Sequence, residues 1–298
     1  MTDFECIRSL GCGGFASVEL VRDKKTMESI ALKKFKPNLL RDADSLRLVM
    51  DELALLQKCK QSEFIVKYYG SLVSKSHCVV LMEACLGGDL WSWIETKGAF
   101  NEDSAVFYAA CVIEGLAYLR GQGILYRDLK PENILLDCKG YAKIADLGFS
   151  RELAPEEKAH TIVGTAEYLS PEMLNSANKS EGYKHSSTIW SFGILVYEML
   201  TGHPPFTHNN QQMLFTRIRQ GFRSFDFPSY ISQNAIELMM MLCRLKPHHR
   251  PELEQIVNYM WFVGFDWSGL REGSLQAPLF LEIDAESNEP PLHAFEEF

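Results

Sequence analysis

Two aspartates stand eighteen positions apart in ILYRDLKPENILLDCKGYAKIADLGFS, which runs from Ile124 to Ser150. Asp128 follows Tyr126-Arg127 and Asp146 precedes Leu147-Gly148, while Lys130, Glu132 and Asn133 crowd between two short apolar runs. So much ionisable chemistry between strand-like pieces needs something to hold. Lys33 lies in a further apolar run beside Ile30 and Leu32, and a buried ammonium needs a carboxylate or a phosphate as partner. Glu52 offers a carboxylate from a helical stretch, where it falls between Met50 and Leu53, near the apolar side. Taken alone, Glu52 reads equally as a solvated helix residue. GCGGFASV (11–18) adds glycines through which backbone N–H groups could approach an anion. It also reads as a glycine-rich hairpin turn, and no Gly-Lys-Ser/Thr follows as a Walker loop requires.

The elements that must position these residues change character along the chain. Residues 4–35 read as strands, with glycine and Asp-Lys-Lys breaks. DSLRLVMDELALLQKC then switches to a 3.6-residue period through Leu46, Val49, Met50, Leu53 and Leu56, with Asp44 or Ser45 as its cap. HCVVLME is another buried strand, ended by CLGGDL. Beyond it helical patterns dominate, at 89–97, 102–121, 185–201, 209–219, 232–243 and 252–259, broken by the strand pair of the first quotation. Gly87-Gly88 is the natural joint between a small β-rich part and a larger helical one. Residues 263–298, rich in Gly, Pro and acids, read as an extended tail.

The bulk numbers set limits. The 298 residues, 46% of them hydrophobic, suffice for one large core or two modest ones. No apolar run of about 18 residues is present, and the N-terminus shows no secretory signal. Eight scattered cysteines contain no Cys-x-x-Cys, which points to a reducing compartment rather than a disulfide framework or zinc site. A net charge of -9 argues against nucleic acid as a partner and suits cationic substrates, though an acidic surface also serves solubility.

At YRDLKPEN (126–133) and ADLG (145–148), with the glycine stretch, ALKK and Glu52 in order before them, the chain resembles the eukaryotic protein kinases. The likeness covers about residues 4–262. It implies an α+β, bilobal fold: a small β-rich N-lobe with one key helix (1–83), a hinge and a larger, mainly helical C-lobe (84–262), and a tail (263–298). It also implies roles. Gly11, Gly13, Val18 and Ala31 would line the ATP site, with Lys33 on the phosphates and paired to Glu52. Asp146 and Asn133 would hold Mg2+, Asp128 would accept or orient the proton of the substrate hydroxyl, and Lys130 would neutralise the transferring phosphate.

VVLMEACLGGDLWSWI (79–94) resembles the hinge of AGC kinases, with Met82 as gatekeeper, Glu83 and Cys85 offering backbone groups to adenine, and Asp89 reaching the ribose. Tyr-Arg-Asp in place of His-Arg-Asp and WFVGFDWSGLREGSLQAPL (261–279) resemble the cyclic-nucleotide-dependent branch, most of all the cyclic-GMP-dependent kinases. The chain begins one short strand before the glycine loop, so such control is expected to come from another chain. AHTIVGTAEYLSPE (159–172) resembles an activation segment, with Thr161 as phosphosite, Arg127 as the partner of its phosphate, and a Glu172–Arg250 structural pair. Asp89, Glu132 and Glu198 match positions that carry carboxylates for substrate arginines. The expected partners are therefore proteins or peptides with Arg upstream of Ser or Thr, an upstream activating kinase and a regulatory subunit. The expected place is cytoplasmic, with the nucleus also allowed. Phe295 and Phe298 of AFEEF are expected to fold back on the small lobe, a reach of roughly 100 Å being available.

The chain departs from the family's pattern at Ala16, for the third loop glycine, at Leu147, for the Phe of Asp-Phe-Gly, and at Thr188, where the family carries an aspartate. That aspartate accepts backbone hydrogen bonds around the catalytic loop. The Thr188 hydroxyl is expected to accept one of them, leaving another donor poorly satisfied, and Thr188→Asp is expected to raise activity or melting temperature. A pseudokinase scaffold is the alternative reading that Thr188 supports. A small-molecule kinase of the same fold is disfavoured by the activation-segment match.

Overall fold

The computed structural model describes residues 3–74, 77–175, 182–223 and 225–279. Five antiparallel strands make the small lobe: β1 (Phe4–Cys12), β2 (Ala16–Asp23), β3 (Ser29–Phe35), β4 (Tyr68–Val73) and β5 (Cys78–Glu83), in the order β1-β2-β3-β5-β4. The register sets one face. Val18 lies opposite Lys33, Ala31 opposite Met82, and Lys33 opposite Val80. Side chains directly across an antiparallel pair share a face, so Val18, Ala31, Lys33 and Met82 line the same side of the sheet. Val21, Ile30, Leu32 and Val79 form a separate apolar cluster, and their register places them on the opposite side.

Helix α1 (Ala43–Lys58) packs on this sheet, but its polar details differ from the expected ones. The cap is neither Asp44 nor Ser45: Asp42 caps, its carboxylate accepting from the Ser45 N–H at 2.8 Å. The helix starts earlier than its apolar period, because the extended backbone of Asp42 already aims a carboxylate at the orphan N–H groups of the first turn. Met50, expected on the apolar stripe, is exposed, and Glu52 is buried at 6% exposure. The helix turns its buried face toward Lys33 rather than toward maximal hydrophobicity.

The large lobe is helical, built from α2 (Leu90–Lys97), α3 (Glu102–Gly121), α4 (Pro171–Asn175), α5 (Ser186–Thr201), α6 (Gln211–Gln220), α7 (Gln233–Leu242), α8 (Leu253–Ile256) and α9 (Trp267–Glu272). Every residue of α5 from Ser187 to Leu200 is buried. Gly193 permits this: a Cβ there would stand 2.5 Å from Cys243 Sγ and 3.0 Å from Leu242 Cβ, so α7 can lie close against α5. Two short antiparallel pairs complete the lobe: β6 (Ile124–Leu125) with β9 (Arg151–Glu152), and β7 (Ile134–Leu136) with β8 (Ala142–Ile144). The expected helix at 252–259 stops at Ile256, where i to i−3 bonds from Asn258 and Tyr259 tighten the chain.

Residues 263–279 are not the extended tail that their composition suggested. Asp266 caps α9, Leu270 and Ala277 are buried, and Arg271 pairs with Glu114 on α3. The Tyr141 hydroxyl donates to the Leu275 carbonyl, and the Leu279 N–H donates to the Tyr108 hydroxyl. A few apolar anchors among polar residues suffice to dock this segment on a wall that already exists. Phe295 and Phe298 lie outside the described residues. Among those described, no helix is long and apolar enough to cross a membrane, and all eight cysteines are free.

Candidate active site

The cleft between the lobes gathers the ionisable residues of the sequence. Lys33 Nζ lies 2.6 Å from Glu52 Oε1 and 3.2 Å from Asp146 Oδ1, so β3, α1 and the loop after β8 meet at one ammonium. Burial pushes the Lys33 pKa down, but Glu52 and Asp146 outweigh it and hold the ammonium above its ordinary value. Asp146 feels the converse. Partial burial raises its carboxyl, and Lys33 with the Gly148 N–H brings the net value below the ordinary one. Its backbone has φ 49°, in the left-handed region that non-glycine residues rarely adopt and that is often held at functional sites.

Asp128 is buried and saturated with donors. Its Oδ1 accepts from the backbone N–H and the hydroxyl of Thr165, each at 2.9 Å, and its Oδ2 accepts from Asn133 Nδ2 at 3.0 Å. Lys130 Nζ is 2.9 Å from Thr165 Oγ1 and 3.4 Å from Asp128 Oδ2. Asn133 also donates to the Asp128 carbonyl, and its own carbonyl accepts from the Ala145 N–H beside Asp146. The Asp128 loop and the Asp146 loop are thereby tied together. Thr165 reaches Asp128 because Gly164, at φ 105°, passes against the catalytic loop: a Cβ there would sit 2.5 Å from the Arg127 carbonyl oxygen.

The glycine loop carries a different signal. Gly11, Gly13 and Gly14 do not have positive φ, and a Cβ would meet nothing within 4 Å at Gly11 or Gly14 and only the Ala16 carbonyl, at 3.7 Å, at Gly13. Neither turn geometry nor packing within the chain calls for glycine there. Room for a phosphate to approach the backbone does, and the residues fit a nucleotide over the Val18–Ala31–Met82 face. A hard dication also fits: Asp146 supplies a carboxylate and Asn133 an amide oxygen, a protein share that suffices for Mg2+ when phosphates and water complete the shell.

At the hinge, the Glu83 N–H donates to the Lys67 carbonyl at 2.9 Å and is thereby already engaged. The Glu83 side chain has a role that motif reading missed. It pairs at 2.9 Å with Lys143 of β8, which is 2% exposed, and also accepts from the Lys67 N–H. Cys85 lies two residues on, half-buried. Asp89 caps α2, accepting from the Ser92 N–H at 2.8 Å.

Among the carboxylates expected to meet arginine, Glu132 is exposed on the turn after Lys130, whereas Glu198 is 5% exposed inside α5. The Tyr168 hydroxyl donates to Glu198 Oε2. Burial pushes the Glu198 carboxyl up to about 7, the Tyr168 bond opposes the rise, and Glu132, Glu167 and Glu95 add to it. Tyr168, Glu167 and Glu95 were not singled out in the sequence, although Glu167-Tyr168 sits inside the activation-segment match. Glu172 and Arg250 form the expected pair, bidentate at 2.5 and 2.8 Å.

The activation segment is docked. Arg127 Nη1 lies 2.9 Å from Thr161 Oγ1, and the Tyr183 hydroxyl donates to the Thr161 carbonyl at 2.6 Å. Beneath the catalytic loop, Thr188 departs from expectation. Its hydroxyl does not accept a backbone N–H; it donates to the Tyr126 carbonyl at 2.7 Å.

A β-rich small lobe and a helical large lobe, enclosing a lysine–carboxylate pair, a donor-saturated aspartate and a glycine loop free of internal constraints, define a phosphotransferase of the bilobal kinase class. The chain belongs to the protein kinase family, matching the protein kinase domain over residues 4–262. It is 39% identical to human cGMP-dependent protein kinase 2 over 286 residues, 94% of this chain and 37% of that one. It is 34% identical to cGMP-dependent protein kinase, isozyme 1, of Drosophila melanogaster over 310 residues, 98% of this chain and 40% of that one. With cGMP-dependent protein kinase egl-4 of Caenorhabditis elegans the identity is 36% over 286 residues, 93% of this chain and 36% of that one. The chain thus spans well under half the length of these relatives, and the likeness is of the AGC type. The family uses ATP and a divalent metal.

Proposed function

We propose that this chain transfers the γ-phosphate of ATP to serine or threonine hydroxyls in arginine-rich motifs. The observation that carries the reading is the convergence of Lys33, Glu52 and Asp146 in one ion-paired group, with Asp128 held beside it through Asn133. Gly11 and Gly13 admit the phosphates, Val18, Ala31 and Met82 face the base, and the Glu83 carbonyl and the Cys85 backbone meet its edge. Bound Mg2+ supplies charge neutralisation at the phosphates, and Asp146 and Asn133 are the residues that would hold it. Lys33 orients the α- and β-phosphates. Asp128 orients the incoming hydroxyl and takes up its proton, with Thr165 keeping the carboxylate in place. Lys130 lies within reach of charge on the transferring group.

Asp89, Glu132 and Glu198 are proposed to receive substrate arginines, since an acidic wall of this kind favours guanidinium partners. Phosphorylation of Thr161 by an upstream kinase is proposed to strengthen the Arg127 contact. The relatives are named for dependence on cyclic GMP. If this chain shares it, the control acts on the catalytic region from a regulatory segment or subunit. A cytoplasmic place suits eight free thiols.

The test is phosphotransfer from Mg-ATP to peptides of the Arg-Arg-x-Ser type, with Asp146→Ala as control. Transfer that needs Asp146 and both arginines supports the whole reading. No transfer by a protein that still binds ATP and carries phosphate on Thr161 would make it a scaffold instead.

A further inference from the structure

The last turn of α1 reaches into the large lobe through one ammonium. Lys58 Nζ donates to the carbonyl of Gln122, the residue that ends α3, at 2.8 Å. It also donates to Glu152 Oε1 of β9 at 2.7 Å. The backbone is held as well, the Tyr118 hydroxyl of α3 donating to the Lys58 carbonyl at 3.4 Å. A cation is well placed here, because the carbonyl end of α3 is the negative end of that helix.

What these elements carry gives the contact its meaning. Glu52 precedes Lys58 on α1 by six residues, about 9 Å along the axis. Strand β9 pairs with β6 in the register Ile124 with Glu152 and Leu125 with Arg151, and the Leu153 N–H donates to the Gly123 carbonyl at 2.9 Å. Asp128 lies just beyond β6, and Asp146 just before β9. Lys58 therefore grips the strand pair from which both acidic loops leave, while its own helix carries the carboxylate that meets Lys33. The Lys33–Glu52 pair holds α1 near its middle and Lys58 holds its end, and two such points set the direction of a rigid helix.

Folding stability is not what this contact supplies. The Lys58 side chain is 35% exposed and that of Glu152 60%, and ion pairs so open to water contribute little. We propose that Lys58 is a positioning residue: by holding Gln122 and Glu152 it sets the angle of α1, and with it the place of Glu52 against Lys33. The inference rests on the phosphotransferase reading for its kinetic consequences but not for its structural ones.

The experiment compares Lys58→Met, Lys58→Arg and Glu152→Gln with wild type. It uses steady-state kinetics with Mg-ATP and an Arg-Arg-x-Ser peptide, thermal melting, and amide hydrogen exchange over residues 49–58. Lys58→Met is expected to lose about fivefold in kcat and to raise KM for ATP about threefold, with KM for the peptide unchanged. Exchange in 49–58 should be faster, yet the melting temperature should stay within about 2 °C of wild type. Lys58→Arg, whose guanidinium can serve both acceptors, should stay within about twofold of wild type in kcat. Glu152→Gln leaves the Gln122 bond in place and should show the Lys58→Met pattern at about half its size. Wild-type kinetics and exchange in Lys58→Met would overturn the proposal. So would a loss that Lys58→Arg does not restore, or one that comes with a large fall in melting temperature, the mark of a merely structural pair. If wild type transfers no phosphate, the functional reading fails separately. Exchange then decides alone: faster exchange in Met but not in Arg supports the positioning role, and equal exchange overturns it. Should Lys58→Met fail to fold, Glu152→Gln beside wild type decides by the same measurements.

Discussion

Arg127 and Thr161 are joined directly: Arg127 Nη1 lies 2.9 Å from the Thr161 hydroxyl oxygen. The same guanidinium donates through Nε to the Phe149 carbonyl, so it bridges Thr161 and the segment just after Asp146. The docking geometry that a phosphate would reinforce is thus already drawn by the guanidinium and the unmodified hydroxyl, with Tyr183 holding the Thr161 carbonyl from the other side.

Thr161→Ala is accordingly expected to lower kcat/KM several-fold rather than abolish it. A contact between two full charges contributes about 1.5–3 kcal/mol, more than the guanidinium–hydroxyl bond it replaces. Kinetics of wild type before and after complete dephosphorylation, beside the alanine variant, check this. Identical rates in all three would remove Thr161 from the regulation of the enzyme.

Asp128→Asn keeps the shape of the side chain and removes its capacity to take a proton. Phosphotransfer is expected to fall by at least about 10²-fold, the scale of general base catalysis, with ATP affinity unchanged. Rate measurements paired with nucleotide-binding titration separate the two effects. Full activity in this variant would require a different base.

The raised Glu198 carboxyl gives a pH dependence of definite sign. An arginine substrate favours the ionised form, so its binding expels the proton that Glu198 carries below about pH 7. KM for an Arg-Arg-x-Ser peptide is therefore expected to fall about tenfold from pH 6 to pH 8. Glu198→Gln should flatten the profile. Stability moves oppositely. A carboxyl whose folded value lies above its ordinary 4.5 contributes fully below that pH, and the contribution is lost as pH rises toward 7. Glu198→Gln should therefore gain melting temperature relative to wild type between pH 5 and pH 8, which calorimetry over that range reads directly.

Lys143 and Glu83 join β8 to the hinge through a pair with little solvent access. Removing one partner leaves an uncompensated charge, so Lys143→Met is expected to cost about 3 kcal/mol of stability and to raise KM for ATP through the displaced hinge. Lys143→Met combined with Glu83→Gln should recover part of the stability. Denaturant titration of the single and double variants measures the coupling, and strict additivity would mean that the pair is incidental.

The cluster of ionisable residues in the cleft was legible because its members sit in short motifs whose order survives without structure. Asp128, Lys130 and Asn133 lie within six residues, and Asp146 follows one β-hairpin later. The longer helices, α1, α3, α5, α6 and α7, were legible from periodicity for the same local reason. What escaped was set by contacts distant in the chain. The partner of Glu83 is sixty residues away at Lys143, and nothing in VVLME announces it. Met50 lost its expected place on the apolar stripe because the ion pair of Glu52 with Lys33 outranks the hydrophobic period of α1. Composition misled at 263–279, where α9 docks on α3 through few but well-placed apolar side chains. At Thr188 the substitution was visible, but the direction of its hydrogen bond was not, since a hydroxyl can donate or accept and only its neighbours decide.

Helix α5 carries both Thr188, under the catalytic loop, and Glu198, in the acidic wall, ten residues apart and about 15 Å along a single axis. Buried throughout, it behaves as a ruler whose graduations cannot slide. On the proposed reading, the span between a substrate's accepting hydroxyl and its arginine is fixed by helical rise rather than by loop conformation. Lengthening or shortening that span would demand a new core, so variation in substrate choice has to arise by exchanging side chains along the ruler while its length stays the same.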